Sequence, residues 1–155
     1  MSSSEAPGDL PLPNGAPEGL RVYRRSDGVL GIRGRDLRSL FWGMGFCHAT
    51  DRSLQLLITR VLGQGRAGEL LESSDEMLGV DRFFRRMGWA NGLEAELEKL
   101  DDEVRLANES YCSGINAGLR GRAPWELRLL GFSPEPWSLG DGLLLMRLIL
   151  SLIHI

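Results

Sequence analysis

The chain has 155 residues, of which 43% are hydrophobic, 25% charged and 7% aromatic. These values are typical of a globular protein, and the length suits one domain or a piece of a larger one. The formal net charge of −3 argues against a dedicated nucleic-acid-binding protein. The two cysteines are too few for a disulfide-stabilised scaffold.

Residues 1–19 are rich in Pro, Gly and Ser and lack the apolar core of a secretory signal. They predict a disordered or loosely draped leader ahead of a helical region at 20–155. Without a signal the default location is cytoplasmic, and periplasmic or secreted locations stay open. The longest apolar stretch, at 143–155, is shorter than the roughly 20 residues that span a bilayer, so no membrane partner is expected.

Two apolar–polar alternations, at 20–25 and 29–33, flank the turn residues Asp27 and Gly28. This pattern predicts a short β-hairpin. The hairpin is rich in arginine, which fits either a phosphate-binding face or, as we favour, a solvated hairpin or one docked on an acidic surface. Its arginines are Arg21, Arg24, Arg25, Arg33 and Arg35.

Helical spacing begins at Asp36, which can cap the N-terminus, and continues to about Leu62. The stripe predicted to face the core consists of Leu37, Leu40, Met44, Cys47, Leu54, Ile58 and Val61. Gly43 and Gly45 each cost about 1 kcal/mol in a helix interior, so they indicate the close approach of another element.

Asp51 fills a gap in that stripe, and a buried carboxylate needs a cationic or hydrogen-bonding partner. The sequence predicts an ion pair with Arg85 or Arg82 on a following helix, with Arg52 pointing away. His48 and Asp51 lie one turn apart and could share a metal ion, but no third ligand follows, so no metal site is predicted.

Residues 63–68 read G-x-G-x-x-G. The dinucleotide fingerprint of this form needs a strand before it and a helix that starts within it. Here a predicted helix precedes it, so we favour a helix C-cap and turn with Gly63 as the end of the helix. A nucleotide-binding loop is the less favoured alternative.

The rest of the chain predicts further helices, hence a mainly α fold with a short N-terminal β-hairpin. Ser73 and Glu76 form a capping box for one of them, and Ser138 with Asp141 forms another for the last helix. The last helix is apolar nearly all round and is therefore expected to be buried. The predicted helices are 66–71, 73–87, 89–100, 102–119, 124–131 and 138–155.

Six motifs follow one another in a set order. They are R-S-D-G-V at 25–29, D-L with G-x-G-x-x-H-A-x-D-R-x-x-Q at 36–55, G-x-x-G-E at 65–69, L-x-x-D-x-x-x-R-x-x-G at 78–88, Y-x-x-G-x-N-A at 111–117, and E-x-x-L-L-G-x-x-P-E-P-W-x-x-x-D at 126–141. Together they resemble the α-chain region of the penicillin acylase (penicillin amidase) family of N-terminal-nucleophile hydrolases. Leu30 and Gly31 depart from the family's Pro-His, and the resemblance fades after Asp141.

The resemblance implies that this is the truncated α-chain portion of an αββα hydrolase, made as a self-cleaving precursor. In the family the β chain carries an N-terminal serine nucleophile whose own α-amine is the base. The implied partners are that β-chain region and a small-molecule amide such as a penicillin, a cephalosporin or an acyl-homoserine lactone. No cofactor is assigned to this chain, and calcium is expected only in the full-length protein.

No catalytic, substrate-binding or metal-ligating residue is assigned within the 155 residues, so the fragment alone is expected to be inactive. Five residues of the matching motifs are instead expected to hold the α-chain fold together: His48, Asp51, Arg52, Glu69 and Arg85. The alternative to the amidohydrolase is a non-catalytic helical interaction module derived from the same family.

Overall fold

The computed structural model describes residues 8–153 except 121–123, 130 and 132. Within these residues it is mainly helical with a small antiparallel sheet, as the sequence predicts. The strands are β1 (Gly8–Asp9), β2 (Arg21–Arg24) and β3 (Leu30–Arg33). The helices are α1 (Leu37–Asp51), α2 (Ser53–Gln64), α3 (Ala67–Leu70), α4 (Asp75–Met87), α5 (Leu93–Leu97), α6 (Asp102–Leu119), α7 (Trp125–Leu129) and α8 (Leu139–Ile153).

The predicted hairpin is confirmed as β2 and β3, which pair antiparallel with Val22 opposite Ile32. Its turn uses Gly28 at φ +82°. The Asp27 carboxylate accepts a hydrogen bond from the amide of Val29 at 3.1 Å. Because Asp supports tight turns and Gly adopts positive φ without strain, these two residues fix the hairpin locally.

The leader contributes β1, which the sequence did not predict. Gly8 lies opposite Arg24 in the β1–β2 pairing. Leu10, Leu12 and Ala16 pack on the apolar cluster under the sheet. Of the two predicted alternatives, a disordered or a loosely draped leader, residues 8–19 follow the second, since they lie over the sheet. Residues 1–7 lie outside the described part of the chain.

The long helix predicted from 36 to 62 is two helices, α1 and α2, which meet at Arg52 (φ −132°, ψ 24°). The cap at Asp36 is confirmed by its hydrogen bond from the Ser39 amide at 2.8 Å. The predicted core stripe is partly wrong, since Leu37 is 55% exposed while Trp42 is only 6% exposed. Because the helix breaks at Arg52, the buried face of α2 does not continue the buried face of α1. A single apolar stripe counted along both helices therefore fails.

The core of the molecule is built around α1 and α6, whose backbones touch at glycines. A Cβ atom at Gly45 would overlap the carbonyl oxygen of Tyr111, and one at Gly114 would overlap the carbonyl oxygen of Trp42. A Cβ atom at Gly43 would instead lie 2.7 Å from the side chain of Ile32 on β3. The close approach predicted at Gly43 and Gly45 is confirmed.

Several predicted helix ends shift by one or two residues. Gly65, in the left-handed conformation at φ +64°, ends α2 where Gly63 was predicted to do so. Ser74, in place of Ser73, caps α4 by accepting from the amide of Met77 at 3.3 Å. The region 89–100, predicted as helix, holds only α5 between turns.

The capping box of α8 is confirmed, since Asp141 accepts from the Ser138 amide at 2.9 Å. One face of α8 is buried in the core through Leu144 and Leu148, at 1% and 5% exposure. The opposite face is open, with Met146 at 57% and Ile149 at 45% exposure, so the expectation of burial on all faces is wrong within this chain. No described helix is long and apolar enough to cross a membrane.

Candidate functional site

Asp51 does not lie in the core. Its side chain is 32% exposed and its Oδ1 atom accepts from Nη2 of Arg24 at 2.7 Å. Arg85 instead donates through Nε to the carbonyl oxygen of Gly65 at 2.9 Å. The predicted buried pair of Asp51 with Arg85 or Arg82 is wrong, because α1 ends at Asp51 beside the hairpin, where Arg24 reaches it.

His48 and Arg52 lie at the same α1–α2 junction. Nδ1 of His48 is 2.8 Å from the hydroxyl of Tyr111 on α6, and the two rings meet edge to face. Burial, together with the positive charge of Arg52, lowers the pKa of His48 below its ordinary value. Burial raises the pKa of Tyr111 to about 12, so both partners are neutral at pH 7. This pair joins α1 to α6 and contains no nucleophile.

Glu69 and Arg85 flank the glycine-rich turn after α2. The Glu69 carboxylate accepts two hydrogen bonds from Arg66, at 3.0 and 2.8 Å, and these lower its pKa. The buried carboxylate at this turn is Asp81, which accepts from the amides of Ala67 at 2.6 Å and Gly68 at 2.9 Å. Side chains of the chain itself therefore hold the turn at 63–68. This arrangement agrees with the interpretation of the segment as a helix C-cap and turn.

The buried ion pair of this fold is Arg60 with Asp141, whose side chains are 4% and 8% exposed and 3.6 Å apart. Gln64 donates to the same carboxylate at 2.9 Å. The Arg60 guanidinium lies 5.1 Å from the ring centre of Trp137. Sequence analysis identified Asp141 only as a cap and missed Arg60. A single arginine among the apolar positions of α2 could have indicated a buried ion pair.

Most arginines of the hairpin region pair with carboxylates of the chain, while Arg33 lies over the ring of Tyr23. Arg21 pairs with Asp9 at 3.0 Å, Arg24 with Asp51, and Arg25 with Asp27 at 3.0 Å. The phosphate-binding alternative is therefore not favoured, and the hairpin is a solvated element docked on an acidic residue of α1.

A groove of about 790 Å³ lies between α1, α2, α6 and α8. Its lining is mainly aliphatic and aromatic. The apolar lining includes Leu37, Phe41, Met44, Val104, Met146 and Ile149. The polar lining residues are His48, Arg52, Gln55, Thr59, Glu103, Asn108 and Tyr111.

The described residues do not form a nucleophile–base pair. Burial raises the pKa of Cys47 to about 11 and that of Cys112 to about 12, so both thiols stay protonated. His48, the one described histidine, bonds Tyr111 and neither a serine nor a cysteine. No three His, Cys, Asp or Glu side chains of the described chain gather as a metal site, and calcium in the full-length protein stays a prediction.

Comparison with known proteins extends these observations. The family model for penicillin amidase matches residues 20–153. The chain is 34% identical over 142 residues to the penicillin acylase 2 proenzyme of Pseudomonas sp. SE83 and 28% identical over 138 residues to the acyl-homoserine lactone acylase QuiP of Pseudomonas aeruginosa. These alignments cover 90% and 87% of the chain.

Among solved structures, a thermostable penicillin G acylase from Alcaligenes faecalis matches with a TM-score of 0.72 and 25% identity over 81% of this chain. Fold and sequence together place the chain in a family of amidohydrolases. The chain belongs to the penicillin amidase family.

The chain spans only a small part of those relatives. It covers 18% of the Pseudomonas sp. SE83 proenzyme and 16% of QuiP. It covers 15% of the penicillin G acylase of Escherichia coli, but 69% of the matched chain in the Alcaligenes faecalis structure.

Proposed function

We propose that this chain is the α-chain part of an amidohydrolase that cleaves linear amides through an acyl-enzyme. The nucleophilic serine lies on a β chain of the same precursor. The observation that carries the proposal is a family match across residues 20–153 in a chain that covers only 18% of a relative named a proenzyme. The remaining polypeptide supplies the chemistry, and this chain supplies a helical scaffold.

The coverage of the solved structure supports processing into separate chains. The same segment amounts to 15% of one penicillin G acylase sequence but 69% of a single chain in a penicillin G acylase structure. A cut precursor explains this difference, because the matched chain is then a fragment of the whole. The α-amine of the new N-terminal serine acts as its own base, and no side chain of the α chain needs to act as one.

The substrate class is a small-molecule N-acyl amide. The relatives are named for penicillin and for acyl-homoserine lactones, which share an amide bond between an acyl group and an amine-bearing ring. The acyl-enzyme forms when the serine oxygen attacks the amide carbon and the amine leaves with a proton. A preorganised oxyanion hole on the β chain stabilises the tetrahedral intermediate.

The test is hydrolysis of a phenylacetyl anilide and of an acyl-homoserine lactone by the complete product of the reading frame. We expect turnover that is lost when the serine at the start of the β chain is replaced by alanine. The 155-residue chain alone serves as the control and should not exceed the enzyme-free blank. A complete product that hydrolyses neither amide would favour the non-catalytic interaction module.

A further inference from the structure

We infer that Asn91 and Gly92 form a self-modification site, at which Asn91 loses its side-chain nitrogen as ammonia and becomes aspartate or isoaspartate, and that Arg147 accelerates this change. The site lies in the turn between α4 and α5. Water is the co-reactant, and the reaction is independent of the proposed amide hydrolysis.

The described chain has four peptide bonds that join an asparagine or aspartate to a glycine. Such a pair can form a cyclic imide when the main-chain nitrogen of the glycine attacks the preceding side-chain carbonyl carbon. Glycine carries no Cβ atom to obstruct this approach. The four pairs are Asn14–Gly15, Asp27–Gly28, Asn91–Gly92 and Asp141–Gly142.

The two aspartate pairs are held by hydrogen bonds and ion pairs. The Asp27 carboxylate pairs with Arg25 at 3.0 Å, and the amide of Gly28 donates to the carbonyl oxygen of the same arginine at 2.9 Å. The Asp141 carboxylate lies in the buried ion pair described above, and the amide of Gly142 donates within the first turn of α8. Neither nitrogen is free to attack.

The two asparagine pairs are open. Asn14 and Asn91 are both exposed. The amides of Gly15 and Gly92 donate to no main-chain oxygen of a described residue. A Cβ atom at either glycine would meet nothing within 4 Å, so neither turn is crowded. Both pairs therefore have room for ring closure.

Arg147 distinguishes Asn91 from Asn14. Its Nη1 atom donates to the carbonyl oxygen of Asn91 at 3.0 Å and also to that of Trp89, while Nη2 pairs with Glu96. The Asn91 carbonyl belongs to the same peptide group as the nitrogen of Gly92. Because the guanidinium withdraws electron density from this group, the nitrogen gives up its proton to a solvent base more easily.

The reaction has two steps. The Gly92 nitrogen bonds to the side-chain carbon of Asn91, and the side-chain nitrogen takes a proton from solvent and leaves as ammonia. Water then adds to the main-chain carbonyl carbon, breaks its bond to the Gly92 nitrogen and returns a proton to that nitrogen. The product is isoaspartate, whose new carboxylate contains the oxygen that Arg147 already holds, so a neutral hydrogen bond becomes a charge-assisted one.

The test is peptide mapping by mass spectrometry of the complete product of the reading frame during incubation at mildly alkaline pH. Asn14 is the internal control. We expect Asn91 to deamidate at least about threefold faster than Asn14 in the folded protein, and the two rates to agree in urea. In Arg147→Met the excess should vanish. In Glu96→Gln, which removes the competing carboxylate, it should persist or grow.

A rate at Asn91 equal to or below that at Asn14 in the folded parent would overturn the inference, as would an unchanged excess in Arg147→Met. Because Arg147→Met also loosens α5 from α8, Glu96→Gln separates the two effects. It breaks the same ion pair but keeps the guanidinium. Loss of the excess in Glu96→Gln would show that Arg147 acts only by holding the turn in place, and would reject its role in the reaction.

Discussion

At Gly45 and Gly114 the backbones of α1 and α6 approach so closely that a methyl group would strike a carbonyl oxygen. Backbone atoms cannot move aside as a flexible side chain can, so the two helices would have to separate. This contact depends on the absence of two Cβ atoms, and it keeps the halves of the core together.

We expect Gly45→Ala to lower the free energy of unfolding by about 3 kcal/mol, at the upper end of the range for overpacking. Gly79→Ala is the matched control, because Gly79 lies within α4 and a methyl group there would meet no atom within 4 Å. That change should raise stability by up to about 1 kcal/mol through helix propensity. Urea unfolding measures both, and equal effects would contradict the packing argument.

Asp51 and Asp81 should contribute differently to the free energy of unfolding. Asp81→Ala leaves the amides of Ala67 and Gly68 without an acceptor and should cost about 2 to 4 kcal/mol. Asp51→Ala removes a partly exposed pair with Arg24 and should cost less than about 1 kcal/mol. Thermal melts of the two variants test this order, and a larger loss for Asp51→Ala would restore the predicted core role of that residue.

His48 should make stability depend on pH. Its pKa in the folded state is lowered from the ordinary 6.5, so the unfolded chain takes up a proton first as the pH falls. The contribution is complete above pH 6.5 and is lost as the pH falls below that value towards the folded pKa. The stability difference between about pH 7.5 and about pH 5 should therefore be smaller in His48→Gln than in the parent, and an unchanged difference would contradict this account.

At the scale of elements, the pair of Arg60 and Asp141 fixes the start of α8 against α2. Arg60→Met leaves a buried carboxylate without its cation and should cost about 3 to 5 kcal/mol. Arg66→Met provides the control, since Arg66 pairs only with the more exposed carboxylates of Glu69 and Glu135 among the described residues, and its loss should cost about 1 kcal/mol or less. If chemical unfolding shows the same loss of stability for both variants, the buried pair contributes no more than an exposed one, and this account is contradicted.

The elements that sequence analysis placed correctly are those with local causes. The turn at Asp27 and Gly28 and the cap at Asp36 depend on neighbouring backbone groups, which the sequence displays directly. The pairing of Asp51 depends on Arg24, which lies 27 residues away. A stripe counted along one helix carries no information about that contact, so the predicted core role of Asp51 was wrong.

At the scale of the whole molecule, the groove exists because the apolar faces of α1, α2, α6 and α8 are only partly buried against one another. Sequence analysis found an all-round apolar α8 and expected burial, but it could not show that α1, α2 and α6 cover only one side. The groove is a product of tertiary packing among four helices. The chain covers only 15% to 18% of the curated relatives mentioned above, and the proposed nucleophile belongs to the part of the family's polypeptide outside the aligned segment.

The central claim is that this chain is one part of a self-cleaving precursor. Intact-mass measurement with N-terminal sequencing of the purified complete gene product tests it most directly. The account predicts two chains, of which the shorter contains residues 20–153 and the longer begins with serine. A single uncut chain that is nevertheless folded, as judged by a cooperative melt, would contradict the account.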